Sequence, residues 1–209
     1  MVKAIFNEFA ENSYILHDDK EAFVIDPGSN TDALKEALRE LDVRVRGVLL
    51  THGHFDHING LNDLLDSFDV PVHIHEADRD FLFDPGLNLS IHMGGATMRY
   101  KLEKKEKLNT FTEKDTFTLG DETITVTHTP GHTRGCVLFH YKDIVFTGDT
   151  LFRETVGRTD LPTGDMESMK DSIARIADIL GPNTVLYPGH GPRTTMAHER
   201  LHNFALKAA

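Results

Sequence analysis

At 209 residues, 39% hydrophobic and 26% charged, the chain has the composition of a soluble globular protein, long enough to bury a sizeable core. Its net charge of -11 argues against nucleic acid or an anionic membrane as a partner, and no apolar run reaches the length of a membrane span. The single cysteine, Cys136, precludes an internal disulfide, and the polar opening MVKAIFNEFAENSY lacks the apolar stretch of a signal peptide, so the reducing cytoplasm is the expected location.

The stretches AIFNEFA (4–10), NSYILHD (12–18) and EAFVIDPG (21–28) read as short strands separated by turn signals. SNTDALKEALREL (29–41) reads as a helix, with caps on offer from Ser29 to Asp32 and leucines at 34, 38 and 41. A strand, VRVRGVLLT (43–51), leads into LLTHGHFDHING, and a helix is expected from about His57 to Ser67. VPVHIHE (70–76) reads as a strand and ADRDFLF (77–83) as a short helix, followed by an irregular segment from Asp84 to Thr110. Strands resume at DTFTLG, ETITVTHT, GCVLFHY and DIVFTGD; DMESMKDSIARIADIL is an amphipathic helix, NTVLYPGHG a last strand and loop, and TTMAHERLHNFALKA a closing helix. Strand runs followed by helix–strand alternation in each half predict a mixed α+β and α/β pattern: one domain over 1–209, built as a four-layer αββα sandwich with two mixed β-sheets and two similar halves.

Thirteen histidines are many for this length, and their placement carries the chemistry. His52 and His54 lie two apart just past an apolar strand, where extended backbone points them the same way, while Asp56 and His57 turn toward a second position. THTPGHTRG places His132, LYPGHGPR places His190, and VFTGDTLF places Asp149, each beyond a strand in a glycine-containing loop. Imidazoles and carboxylates gathered at one edge of a sandwich suit zinc, iron or manganese.

In this order THGHFDH, TPGHT, GDTLF and PGHG resemble the metallo-β-lactamase-fold hydrolases, and within them the chain is most similar to the glyoxalase II-like branch. GRTDLPTGD at 157–165 resembles the small, single-domain members of that branch. The resemblance implies two divalent metal ions, zinc foremost with iron or manganese as alternatives. His52, His54 and His132 would bind the first and Asp56, His57 and His190 the second. Asp149 would bridge them together with a water or hydroxide. It also implies hydrolysis of a small-molecule thioester such as S-2-hydroxyacylglutathione, with Asp56 and Asp149 acting through the metal-held hydroxide.

Other residues are read more modestly. Asp26 in VIDPG is a candidate to orient a ligand histidine from below, or a plain strand-end turn residue. Arg158 is the family's better candidate than Arg153 for meeting an anionic substrate, against a salt bridge within its own loop. Cys136 reads as a core thiol, and His128 as a packed or edge histidine. His73 and His75 read as structural, His92 as a candidate pocket residue, and His17, His140, His198 and His202 as solvated.

Full glyoxalase II proteins hold glutathione with a basic helical extension, and only about nineteen residues follow His190, so the thiol half of the substrate stays open. Three rivals remain. Persulfide dioxygenases share the fold and a GRTD-like stretch, but hold one iron through the counterparts of His52, His132 and Asp149. Lactam hydrolysis is the second and a non-catalytic binding module the third. Oligomeric state is not legible.

Overall fold

The structure, a computed structural model, describes residues 1–6, 10–93 and 99–208; the side chains of residues 92, 93 and 208 also lie outside the described set, and with them the pocket role expected of His92. In chain order the elements are β1 (Val2–Phe6), β2 (Asn12–His17), β3 (Glu21–Ile25), α1 (Thr31–Leu41), β4 (Arg44–Leu49), α2 (Phe55–Ile58), α3 (Leu61–Ser67) and β5 (Val72–His75). A 3-10 helix (Glu76–Leu82), α4 (Ser90–Met93), a 3-10 turn (Lys105–Lys107) and β6 (Leu108–Phe111) complete the first half. The second half comprises β7 (Thr116–Leu119), β8 (Glu122–His128), β9 (Val137–Tyr141), β10 (Ile144–Gly148), the two-residue strands β11 (Leu151–Phe152) and β12 (Thr155–Val156), and α5 (Met166–Ile179). It closes with β13 (Val185–Pro188), β14 (Thr194–Thr195), α6 (Met196–His202) and α7 (Phe204–Ala208).

Two six-stranded sheets form, in the orders β1-β2-β3-β4-β5-β6 and β14-β13-β10-β9-β8-β7. Both are mixed. In the first, β1, β2 and β3 pair antiparallel, then β4, β5 and β6 join parallel. In the second, β7 to β10 form an antiparallel run and β13 joins β10 in parallel. Each half thus opens as an antiparallel meander and turns to a parallel crossover through a helix, α1 in the first and α5 in the second.

The layers follow from residue alternation. On β2, β3 and β4, Leu16, Phe23, Ile25 and Leu49 face the opposite sheet and pack on Val126, Val137, Phe139 and Phe146. Their neighbours Ile15, Val24 and Val48 point outward to Leu34 and Leu38 of α1 and Leu61 and Leu64 of α3. On β9 and β10 the outward residues are Leu138 and Val145, covered by Met169, Ile173 and Ile176 of α5. Two sheets with apolar residues on both faces require helices outside, which is the αββα sandwich.

Several elements depart from the sequence reading. The first strand runs Val2–Phe6 rather than 4–10, with 7–9 outside the described residues. Asn30 occupies the N-cap of α1 but its side chain does not cap; it donates to the Phe6 carbonyl instead. The helix expected from His57 to Ser67 is two, because the Gly60 N–H turns to the Pro27 carbonyl. The closing helix breaks at Asn203, whose side chain binds the Thr155 carbonyl and Glu199 and accepts from the Ala205 N–H, competing with the helical ladder. His17 is buried, against the solvated reading, and His140 is half-buried and bonded to Thr127.

Candidate metal centre

Five strands deliver their following residues to one edge of the sandwich: β3 to Asp26, β4 to His52, β8 to His132, β10 to Asp149 and β13 to His190. Three groups of candidate ligand atoms converge there, His52, His54 and His132; Asp26, His52 and His57; and Asp56, His57 and His190, the atoms within each group lying within 4.8 Å of one another. His54 Nδ1 and His132 Nε2 face each other at 2.9 Å. His190 Nε2 lies 3.1 Å from Asp56 Oδ2. Asp149 stands among them, Oδ1 at 3.3 Å from His57 Nε2 and Oδ2 at 3.5 Å from both His132 Nε2 and His190 Nε2.

Four of the five imidazoles, those of His52, His57, His132 and His190, are oriented by their other nitrogen. His132 Nδ1–H donates to the Arg158 carbonyl at 2.7 Å and His190 Nδ1–H to the Ala10 carbonyl at 3.1 Å, which leaves both Nε2 lone pairs facing the centre. The Thr51 hydroxyl donates to Asp26 Oδ2 at 2.6 Å, so its 3.1 Å contact with His52 has His52 Nδ1–H as donor. Asp26, in a left-handed backbone conformation at φ 48°, also accepts from the Thr51 N–H and from His57 Nδ1 at 3.1 Å.

The residues fit a metal. His52 Nε2, His57 Nε2 and Asp149 Oδ1 are buried at this crowded edge without a hydrogen-bond partner among the described residues. Lone pairs massed in a dry pocket are costly unless a cation satisfies them. Burial, and then neighbouring histidines, hold His52 well below the ordinary imidazole pKa, and burial with His132 brings His54 down to about 3, so both present neutral nitrogens. His57 is opposed by burial, yet the Asp149 and Asp56 carboxylates raise it well above its usual value. Burial works against the Asp149 carboxylate too, but His57 and the other imidazoles keep it well below the usual range and ionised. Packing is tight enough to exclude side chains: a Cβ on Gly189 would sit 2.1 Å from Asp149 Oδ1.

The remaining expectations sort as follows. Arg158 is exposed and held by both oxygens of Asp160, at 2.6 and 2.7 Å, so its side chain forms the loop salt bridge while its carbonyl orients His132. Cys136 is buried against Thr133, with its thiol pKa pushed far up by burial. His75 stacks on His128 at 4.2 Å and His73 packs on Phe117.

Among the residues at the site that were not singled out in the sequence, Asn12 and Asp78 reach the ligand loops directly, and Glu11 is buried with Oε1 3.9 Å from His57 Nδ1. Asn12 Nδ2 donates to the carbonyls of Pro188 and Gly191, which bracket His190. Asp78, fully buried, accepts from the Gly53 N–H at 3.1 Å and the Thr133 hydroxyl at 2.7 Å; burial raises its pKa to about 6. None of the three has ligand-like spacing; only the three-dimensional contacts reveal them.

The model of the Metallo-beta-lactamase superfamily matches residues 6–190. A probable metallo-hydrolase of Streptococcus pyogenes is 38% identical, covering 96% of this chain and 88% of the relative. The hydroxyacylglutathione hydrolase GloC of Haemophilus influenzae is 33% identical over 93% of this chain and 92% of its own. Among solved structures, the B3 metallo-β-lactamase BLEG-1 superposes with a TM-score of 0.89 at 38% identity, covering 99% of both chains. TTHA1623 in a di-iron-bound form gives 0.84 at 30% identity, covering 97% of this chain and 98% of that one.

Proposed function

This chain belongs to the metallo-β-lactamase superfamily, and from that premise we propose that it hydrolyses small-molecule thioesters such as S-2-hydroxyacylglutathione. The proposed centre holds two divalent ions, one on His52, His54 and His132, the other on Asp56, His57 and His190, with Asp149 between. The observation that carries this reading is the reach of Asp149, whose two oxygens approach His132 of the first set and His57 and His190 of the second. The hydroxyacylglutathione hydrolase among the relatives supports the substrate class, and the di-iron neighbour supports a two-metal centre. The mixed imidazole and carboxylate set suits zinc first, with iron and manganese also compatible.

Two ions held by these residues would supply a water ionisable near pH 7 and a Lewis acid for the acyl carbonyl. The chain's part is to hold them. Asp26 keeps His57 in the tautomer that offers Nε2, the Arg158 carbonyl does the same for His132, and the buried surroundings keep His52 and His54 neutral. Asp56 is turned to His190 and His57, and Asp149 to three histidines, so neither is free to protonate a departing nitrogen. A thiolate, conjugate to a thiol of pKa roughly 8.5, leaves without that help.

Lactam hydrolysis is the second reading, favoured by the likeness to BLEG-1 over nearly all of both chains. The single-iron dioxygenase reading is disfavoured by the complete second set, since Asp56, His57 and His190 would have no task in it. The test is steady-state kinetics of the metal-replete protein on S-lactoylglutathione, a thioester of a small thiol and a chromogenic cephalosporin, with oxygen uptake on glutathione persulfide alongside. Turnover of the thioesters above the cephalosporin supports the proposal. A preferred cephalosporin moves the assignment to lactams, and oxygen uptake without hydrolysis overturns it.

A further inference from the structure

Behind the first ligand set lies a carboxylate that touches no metal ligand. Asp78 sits on the 3-10 helix Glu76–Leu82, with none of its surface exposed. Its Oδ2 accepts from the backbone N–H of Gly53, between His52 and His54, and from the hydroxyl of Thr133, beside His132. The Gly135 N–H also acts on this carboxylate. The same short helix supports both loops in other ways. Phe81 packs against the His54 ring with centroids 5.7 Å apart, and it lies so close to the Gly53 backbone that a Cβ there would come within 2.3 Å of the Phe81 Cβ. Arg134 Nε donates to the Ala77 carbonyl at 2.7 Å, pinning the loop after His132 to the helix.

The second ligand set is held elsewhere. His57 is fixed by Asp26, and His190 by the Ala10 carbonyl and the Asn12 amide. Among the described residues, the hydrogen-bond partners of Asp78 are Gly53, Thr133 and Gly135, all on the two loops of the first set. A buried acceptor shared by two loops acts as a spacer, because losing it strands the Gly53 and Thr133 donors.

We infer that Asp78 is a positioning residue that fixes the spacing between the His52–His54 loop and the His132 loop, and so sets the metal affinity of the first ligand set without setting that of the second. Asp78 never contacts the ion; it holds the backbone from which the three imidazoles converge. The inference rests on the ligand assignment proposed above, and its test keeps the two apart.

The experiment is metal titration of the chelator-treated, refilled protein, with zinc by elemental analysis and cobalt by its visible spectrum, on the wild type, Asp78→Ala, Asp78→Asn, His190→Ala and the double variant Asp78→Ala/His190→Ala. At one buffered free-metal concentration that fills both sets of the wild type, about two ions per chain, Asp78→Ala is expected to hold about one, with first-set affinity lowered about 10–100-fold. The double variant is expected to hold almost none, because the two losses fall on different sets. Asp78→Asn, which keeps the shape and one acceptor oxygen, is expected to be milder than Asp78→Ala, and it carries the test if the alanine variant does not fold. Unchanged occupancy and affinity in Asp78→Asn and Asp78→Ala overturn the inference. So does a double variant that keeps as much metal as His190→Ala alone. A His190→Ala protein that still binds two ions instead overturns the ligand assignment, not the role of Asp78.

Discussion

Replacing Asn12 by alanine probes how the last candidate ligand is held. Asn12 is buried at the start of β2, and its Nδ2 donates at 2.9 Å to the Pro188 carbonyl and at 2.8 Å to the Gly191 carbonyl, one on each side of His190. Its backbone N–H bonds the Gly189 carbonyl at 2.8 Å, and that bond survives the substitution. Pro188 also keeps the Tyr14 hydroxyl at 2.6 Å, so the Gly191 carbonyl is the acceptor that needs a new partner. Gly191 is exposed, so water serves its carbonyl, and the two lost hydrogen bonds, one of them buried, amount to about 2–3 kcal/mol. For a protein of this size that lowers the melting temperature by roughly 4–12 °C. The measurement is thermal unfolding of the metal-free protein, where the loss is not masked by metal binding. Metal titration of the same variant is expected to show the Asp56, His57 and His190 set weakened about 10–100-fold. Asn12→Asp, equal in size, is expected to be worse than Asn12→Ala, because it aims a carboxylate at two carbonyl oxygens. An Asn12→Ala protein that melts with the wild type and fills both sets with wild-type affinity refutes the clamp.

Asp149→Asn is expected to weaken both ligand sets together, since a neutral amide no longer offsets either cation; full occupancy and full rate by elemental analysis and kinetics would remove Asp149 from between them. Gly189→Ala places a Cβ 2.1 Å from Asp149 Oδ1 and 2.7 Å from His57 Cε1, so occupancy and rate are expected to collapse even though the change adds one methyl; wild-type metal content would mean the loop has room this packing denies. His75, held down to about 4 by burial and then by His128, takes up its proton in the unfolded chain first, so stability is present above pH 6.5 and is lost as pH falls toward 4. Chemical denaturation of His75→Phe is expected to show a shallower acid slope between pH 6.5 and 4; an identical slope refutes the assignment.

Much of the candidate centre was legible because its candidate ligands come in short local patterns. HGHFDH places four candidates within six residues and the other three each follow a strand in a glycine-containing loop, while their division into two sets with Asp149 between came from the family resemblance. The sandwich was legible from strand runs followed by helix–strand alternation in each half; the structure adds the reason helices lie outside, with Leu16, Phe23 and Leu49 on one face and Ile15, Val24 and Val48 on the other. What escaped depends on partners far away in sequence. Asp78 reaches Thr133 across 55 residues and Asn12 reaches Pro188 across 176, and nothing in EADRDFL or ENSYIL marks either side chain as more than a surface or strand residue. The break between α2 and α3 depends on the Pro27 carbonyl, and the burial of His17 on the packing of a whole sheet, neither of which local periodicity records.

The supports of the two ligand sets differ in kind, and this bears on how the centre fills. The first set hangs on a 3-10 helix of the first half, through one buried carboxylate that reaches two loops. The second is held partly by Asp26, at the end of β3, and partly by the chain entering β2, whose Ala10 carbonyl and Asn12 amide hold a loop of the other sheet. Burial holds His52 and His54 low, so a cation entering there would displace few protons, whereas at His57 and His190 burial is outweighed by neighbouring carboxylates that raise both, so proton release would accompany metal binding there to a greater degree. The second set therefore competes with protons more strongly, but it also brings Asp56, a negative charge the imidazole-only first set lacks. Three imidazoles favour zinc, while a carboxylate-bearing set accepts iron or manganese more readily. Asp149 reaches histidines of both candidate sets, so its single carboxylate charge would be divided between any two cations held there.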